Sequence, residues 1–507
     1  MFETKQPAVP GMAAVRPGGQ WPRLVVWVVA LAAFANALAF ARAVANPMIM
    51  ADNWLFVDTF LRHVLDGDMA LGDFLVKRSG LDHGLPHYKL LMLLNARLLG
   101  LDFSYEAMLG VVFALAGWLV LYRIATVDVP RPARGWAFHL AVAAMAAVYL
   151  SVNAYYIYLY SMVALSYLSF LLALLMFLAA WRALDGGARW PFAALALLYA
   201  VCADTSATVT GLGLLMALAL AAWQLGQWRR ALQLGALLVA SLVASRLLYA
   251  GVGEIRGATL AVFNVPLSER VQGLAAIWTE AWQWVAKPLA SGVVNGEPLR
   301  VLTDGHMLKA QALLGLVLGV AHLWFWWSAL RHRPRAASFV AVCLMLLFYG
   351  YVAGLLYGRV FLKGSGYLDQ QRYVTLYQLG VVALLLMAVS RLSSLEAATL
   401  ATGRKVLAAA AILLVAVQLP LAMYSWGRVA SIQGYYVAMA KQYGAVLRDP
   451  QPRRTCVDQL TLCQLPPETR LRVLEMLREH RLNLYSPAFQ ARHPELAAAA
   501  APVPPSP

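Results

Sequence analysis

Charge is what this chain of 507 residues has least of. Asp, Glu, Lys and Arg together make up 13% of it, while 61% is hydrophobic; soluble domains run at about 25% and about 45–50%. So sparse a polar surface cannot keep a globule of this length in water, which excludes a soluble enzyme and a soluble nucleic-acid binder. Cysteine is equally scarce, at four residues, too few for the disulfide framework of a small secreted domain. Cys202 and Cys343 fall inside apolar runs as small core residues. Cys456 and Cys463, in "RRTCVDQLTLC", have no histidines at zinc-finger spacing, which leaves a disulfide and two free thiols both open. An internal repeat is also missing, and with it the half-to-half similarity of many transporters.

What the chain has in abundance is apolar runs of membrane-spanning length. The bilayer core requires about 20 apolar residues per helix, because no water is there to pair with the backbone. About eleven runs read as spans, near 23–45, 105–124, 135–152, 160–181, 190–203, 206–225, 231–250, 307–329, 336–358, 371–391 and 405–426, with 190–203 and 206–225 separated by little more than "DT". The fold expected is an all-α integral membrane protein, a polytopic bundle of about 11 transmembrane helices. The first run, "LVVWVVALAAFANALAFARAVA", exceeds the roughly 7–15 residues of a signal-peptide core and reads as an uncleaved anchor.

The net charge of +16 has a topological explanation. "YRIATVDVPRPARG", "WRALDGGAR", "GQWRR", "RHRPR" and "SRLSSLEAATLATGRK" share one side of the membrane in this count, and each holds at least two Arg or Lys. The positive-inside rule makes that side cytoplasmic. The organisation expected is a cytoplasmic tail over 1–22 and a transmembrane domain over 23–426, with extracytoplasmic loops at 46–104 and 251–305. A small extracytoplasmic C-terminal region over 427–495 and a disordered tail over 496–507 follow.

Acids, histidines and tryptophans concentrate on the outer side. In the first loop "NWLFVDTFLRHVL" and "MALGDFLVK" have the pattern of interfacial helices joined by a "DGD" turn. "SERVQGLAAIWTEAWQWVAKPL" is a further interfacial helix, with Trp278, Trp282 and Trp284 as an aromatic belt. Asp52 stands just past the first span, where partial desolvation suits a carboxylate to general-base or cation-holding work. Asp68 belongs to the "DGD" turn, and "DHGLPHYK" adds Asp82, His83, His87 and Lys89. On the same side "YGRVFLKGSGYLDQQRY" supplies Arg359, Lys363 and Arg372, and Arg246 lies near the outer end of its span. Arginine forks match phosphate oxygens, although the same residues also serve as snorkelling anchors. Tyr156, in "NAYYIYLY", is either a sugar-pocket residue or part of a tyrosine belt, and Asp204 is a costly buried acid between two tightly joined spans.

"DN", then "FLRHVLDGDM", "DHGLPHYKLL" and "LLNARLLGLD", resembles in order the first luminal loop of C-type (GT-C fold) glycosyltransferases, particularly the protein O-mannosyltransferase and aminoarabinose transferase group. The resemblance is one of pattern over about 50 residues. It implies Asp52 as the catalytic or metal-positioning carboxylate, with a polyprenyl-phosphate sugar as donor and a glycolipid, polysaccharide or protein as acceptor. Asn53 stands where a second acid is frequent in the family, and Lys89 is displaced from the family's lysine before proline.

The function expected is therefore a membrane glycosyltransferase of a bacterial-type inner membrane, acting in cell-envelope glycan synthesis on the extracytoplasmic side. Asp52 is its catalytic group. Arg359, Lys363, Arg372 and Arg246 bind the donor phosphate, and Asp68, Asp82, His83, His87, Lys89 and Tyr156 bind substrate. A divalent cation, Mg or Mn held by Asp52 and Asp68, is left open as cofactor. The partners expected are the lipid bilayer, the donor lipid and the acceptor, without nucleic acid. An O-antigen-type polymerase or ligase, and a lipid-linked-sugar transporter or flippase, are the alternatives.

Overall fold

The apolar runs of the sequence become helices, and their boundaries follow local chemistry. A computed structural model describes residues 20–77, 84–130, 134–254, 265–392, 397–448 and 466–501. Asp82, His83, Cys456 and Cys463 lie outside these residues. In chain order the main helices are α1 (Trp21–Val44), α2 (Pro86–Leu99), α3 (Ser104–Asp128), α4 (Trp136–Tyr149), α5 (Ser166–Leu184), α6 (Trp190–Ala203), α7 (Thr205–Leu225) and α8 (Trp228–Val252). They continue as α9 (Ala281–Ser291), α10 (Met307–Arg331), α11 (Ala336–Leu355), α12 (Val374–Arg391), α13 (Ala397–Gly427), α14 (Val429–Arg448), α15 (Pro467–Glu479) and α16 (Pro494–Ala500). No β-strand occurs among the described residues. Helix α2 shows the punctuation clearly. Pro86 occupies its first turn, where no N–H is needed, and Gly100 ends it at φ 69.

Each of the eleven expected spans is a helix, and nine segments of the described chain are long and apolar enough to cross a membrane. The chain is a polytopic helical membrane protein. The other two runs, α4 and α6, have 14 residues each, about 21 Å at 1.5 Å per residue, short of a bilayer core of about 30 Å. Helix α4 is buried on every side from Ala141 to Tyr149 and packs against α1, α12 and α13. It is apolar because it is the centre of the bundle. Helix α10 is the opposite case, with Leu313, Leu316 and Leu323 exposed as a lipid-facing stripe.

The two ends of the bundle differ in character. At one end Asp128 accepts from Ala337 N at 2.6 Å, Arg391 donates to Ser328 Oγ at 2.8 Å, and Arg230 donates to Leu184 O at 3.1 Å. Arg182, Arg189, Arg229, Arg331, Arg333 and Arg335 cluster about the same helix ends. The opposite end carries the first loop, the 265–305 segment, the 356–373 segment and the C-terminal helices. There the expected "DGD" turn is present, with Gly67 at φ 80.

The C-terminal region folds back onto the first loop. Tyr436 and Tyr443 donate to the carbonyl oxygens of Val44 and Ile49, each at 2.5 Å, and Trp54 Nε1 donates to Tyr443 OH at 3.2 Å. Asn483 Nδ2 donates to Pro47 O and Leu101 O at 3.1 and 2.6 Å. Asp102, wholly buried, receives Arg492 Nε at 3.1 Å, His493 Nε2 at 3.0 Å and Ser104 Oγ at 2.6 Å. The disordered tail expected from residue 496 gives way to helix over 496–500. Leu496 is buried there, and α16 lies so close to α14 that a Cβ on Gly444 would sit 2.5 Å from Ala500 O. Low complexity here reflects close packing of small residues.

Burial alone would raise the Asp102 carboxyl, but hydrogen bonds from His493 and Ser104 outweigh it and hold the group below the usual carboxylate range. A carboxyl depressed on folding contributes stability that is complete above the ordinary value of about 3.9 and disappears as pH falls through the lowered one. Replacement of Asp102 by Asn removes the charge that Arg492 and His493 meet, at a cost of about 1–3 kcal/mol. Hydrogen exchange of amides 483–501 should accelerate in that variant at pH 7. Unchanged protection would refute the clamp.

Candidate active site at the polar end of the bundle

Asp52 follows the end of α1 through a tight turn in which Ala51 takes φ 48 and Asn53 N bonds Met50 O at 3.0 Å. Its neighbours fix its position. Asn53 is buried, accepting from Tyr88 OH at 2.7 Å and donating to Ser161 Oγ at 3.3 Å, and Trp54 is held by Tyr443. The half-buried Asp52, immediately before them, interacts electrostatically with Tyr156 and Arg372. Burial pushes the Tyr156 phenol up, while the Arg372 guanidinium works against that shift.

Arg372 comes from a segment that changes helical pitch several times, a π-turn over Leu356–Val360 and 3-10 turns over Ser365–Asp369 and Gln371–Tyr373. Its guanidinium donates to Tyr367 OH and lies 5.5 and 5.0 Å from the ring centres of Tyr367 and Tyr373. Its Nε is buried without a hydrogen-bond partner. Arg359 interacts electrostatically with Tyr373, so the two arginines share one tyrosine cluster, and Lys363 of the same segment is exposed. Asp369 does not neutralise them, because it is taken by Lys287 at 2.8 Å and Gln311 Nε2 at 2.7 Å.

A second carboxylate, Glu297, ties this region together. It accepts from Tyr424 OH at 2.8 Å, Tyr155 OH at 3.3 Å and Gln371 Nε2, with Arg428 at 3.8 Å. Gln371 Oε1 in turn accepts Tyr156 N at 3.0 Å. Glu297 thus holds Tyr156 and the residue before Arg372 in register. Sequence reading passed over it. "NGEP" has the marks of a helix start, an Asn cap followed by an acid in the first turn, and Asn295 does cap the short helix Gly296–Leu302, but the three hydroxyl and amide donors come from remote segments.

The remaining expected site residues fall elsewhere. Asp68 is exposed and bonded to His63 Nδ1 at 3.0 Å, and that bond holds its carboxyl low. Asp58 and Asp66 are paired with Arg62. Lys89 is 1% exposed and donates to the carbonyl oxygens of Asp73, Phe74 and Val76 at 2.9, 3.2 and 2.5 Å, so it organises the turn over residues 71–76. Burial pushes His87 down to about 4, leaving it a neutral imidazole at pH 7. Arg246 donates to Asp204 Oδ1 at 2.7 Å and takes no part in the tyrosine cluster. Among the described residues no three His, Cys, Asp or Glu side chains gather as metal ligands. In the turn expected to give Asp52 a second carboxylate, Asp68 is instead bonded to His63.

Asp204 itself fastens the first loop to the bundle. Fully buried at φ 45, it also meets Lys77 Nζ at 3.5 Å and accepts Gly84 N at 3.2 Å. These two residues bracket the 78–83 stretch. Replacement by Asn should cost about 1–3 kcal/mol and loosen the loop, detected as faster proteolysis between residues 77 and 84 with the spans intact. Equal cleavage rates would dismiss the tie. Compared with protein-family models, curated proteins and solved structures, the chain matches none.

Proposed function

We propose that this chain is a membrane glycosyltransferase that moves a sugar from a polyprenyl-phosphate carrier to an extracytoplasmic glycolipid, polysaccharide or protein acceptor. The observation that supports the reading is electrostatic: Arg372, from the tenth of the eleven apolar runs, and Tyr156 both lie within the field of Asp52, from the first loop. A carboxylate and a partly unpaired guanidinium at one interface suit a reaction in which a hydroxyl loses a proton and a phosphate leaves. The arginine-rich opposite end of the bundle fits the cytoplasmic side under the positive-inside rule, which supports an extracytoplasmic Asp52.

In the reaction the acceptor hydroxyl gives its proton to Asp52 as its oxygen attacks the anomeric carbon. The bond from that carbon to the carrier phosphate oxygen breaks, and the electron pair leaves with the phosphate. Arg372 offsets the charge developing there, Arg359 adds to the field, and the exposed Lys363 of the same segment meets the phosphate on arrival. A single displacement inverts the anomeric centre. A polymerase or ligase working on lipid-linked sugars would use the same pair and differ in product length. Asp204, the buried acid between two spans, is enclosed by Lys77, Arg246 and Gly84 as a structural tie.

Purified protein supplied with lipid-linked sugars and a cell-envelope acceptor fraction provides the test. Asp52→Asn should lower transfer about 10²–10⁴-fold, and Arg372→Gln about 10²–10³-fold, with both variants eluting as the wild type does on size exclusion. Wild-type turnover by folded Asp52→Asn would end the assignment.

A further inference from the structure

The C-terminal helices border a cavity whose lining does not include Asp52. It measures about 520 Å³ and lies between the end of α1, the start of α3, the middle of α14 and residues 492–496, within the range of about 300–1,000 Å³ typical of small-molecule sites. Its position, where two spans end, is headgroup level in a bilayer.

The charges around it sort into two sets. Asp102, Arg492 and His493 neutralise one another through the contacts described above, and Arg492 also covers the Tyr105 ring at 5.2 Å from its centre. These groups form a fixed wall. Arg42, in the last turn of α1, and Glu495, in the first turn of α16, also line the cavity. Both are exposed, and neither has a hydrogen bond or ion pair among the described residues. One unpaired cation and one unpaired anion therefore face a shared space whose remaining lining includes Ala43, Met108, Val437 and Leu496.

From this arrangement we infer a binding site for a phosphate–ammonium amphiphile, the chemistry of a phosphoethanolamine headgroup. Arg42 takes the phosphate with its planar fork, and Glu495 takes the ammonium. A purely anionic headgroup meets repulsion from Glu495, and a lone cation meets it from Arg42. A choline headgroup needs open aromatic faces, and the Tyr105 face is already covered by Arg492. The primary ammonium, with three N–H donors, is the better match to a carboxylate. The apolar lining accommodates the glycerol and the first carbons of the acyl chains.

Native mass spectrometry of the full chain, released from micelles doped with ethanolamine, choline or glycerol phospholipid of identical acyl chains, tests the site without recourse to sugar transfer. Wild type should retain the ethanolamine lipid about tenfold more tightly than the other two, a ratio equivalent to about 1.4 kcal/mol. Arg42→Gln and Glu495→Gln, both at exposed positions, should each abolish the preference while leaving the oligomeric mass unchanged. Added O-phosphoethanolamine that displaces the lipid would identify the soluble molecule as the natural ligand, and failure to displace would identify the lipid; each upholds the site. Equal retention of all three lipids by wild type, or survival of the preference in either variant, would overturn it.

Discussion

Peptide groups that leave a helix inside an apolar body must find partners, and the end of the bundle around Asp52 is built by that requirement. Stranded N–H and C=O groups there cost several kcal/mol each when no water can reach them. The chain meets the demand with side chains. Lys89 serves three carbonyl oxygens of one turn, Asn483 serves two that flank the first loop, Asn295 caps its own helix while donating to Asp369 O, and Arg270 reaches Val265 O and Tyr357 O. Polar residues that resemble chemistry in a list of letters are here mostly masons of irregular backbone. Asp52, Arg372 and Tyr156 differ in that the electrostatic coupling among them crosses between separate segments.

The helical content was legible because a period of apolar residues long enough to cross a bilayer has few alternative readings. What the letters do not carry is depth. Helices α4 and α6 have the composition of spans, yet α4 is short and enclosed, since an interior helix and a lipid-facing one are equally apolar when the neighbours are also apolar. Conversely, "AAAAA" after residue 496 reads as low complexity, and only the approach of Gly444 explains why small residues are wanted there.

At the candidate site, Asp52 and Arg372 were each identifiable as polar groups beside span ends. Their companionship was not, because it depends on where two loops meet in space. Lys89 and Arg246 had the right charge and the right side of the membrane, but the loop backbone and Asp204 claim them. Glu297 was invisible for the converse reason: a single acid in a short helix gains meaning only from Tyr155, Gln371 and Tyr424, which arrive from three other segments.

Asn483 bonds to Pro47 and Leu101, so the first loop is closed by residues translated after every span. Insertion into the bilayer thus runs far ahead of completion of the polar end, and long-separated contacts are the slow ones to form. A ribosome stalled anywhere within the last helices would leave a fully threaded bundle whose polar face is still ajar, which makes the distal segment a natural checkpoint between a chain merely embedded and a chain completely folded.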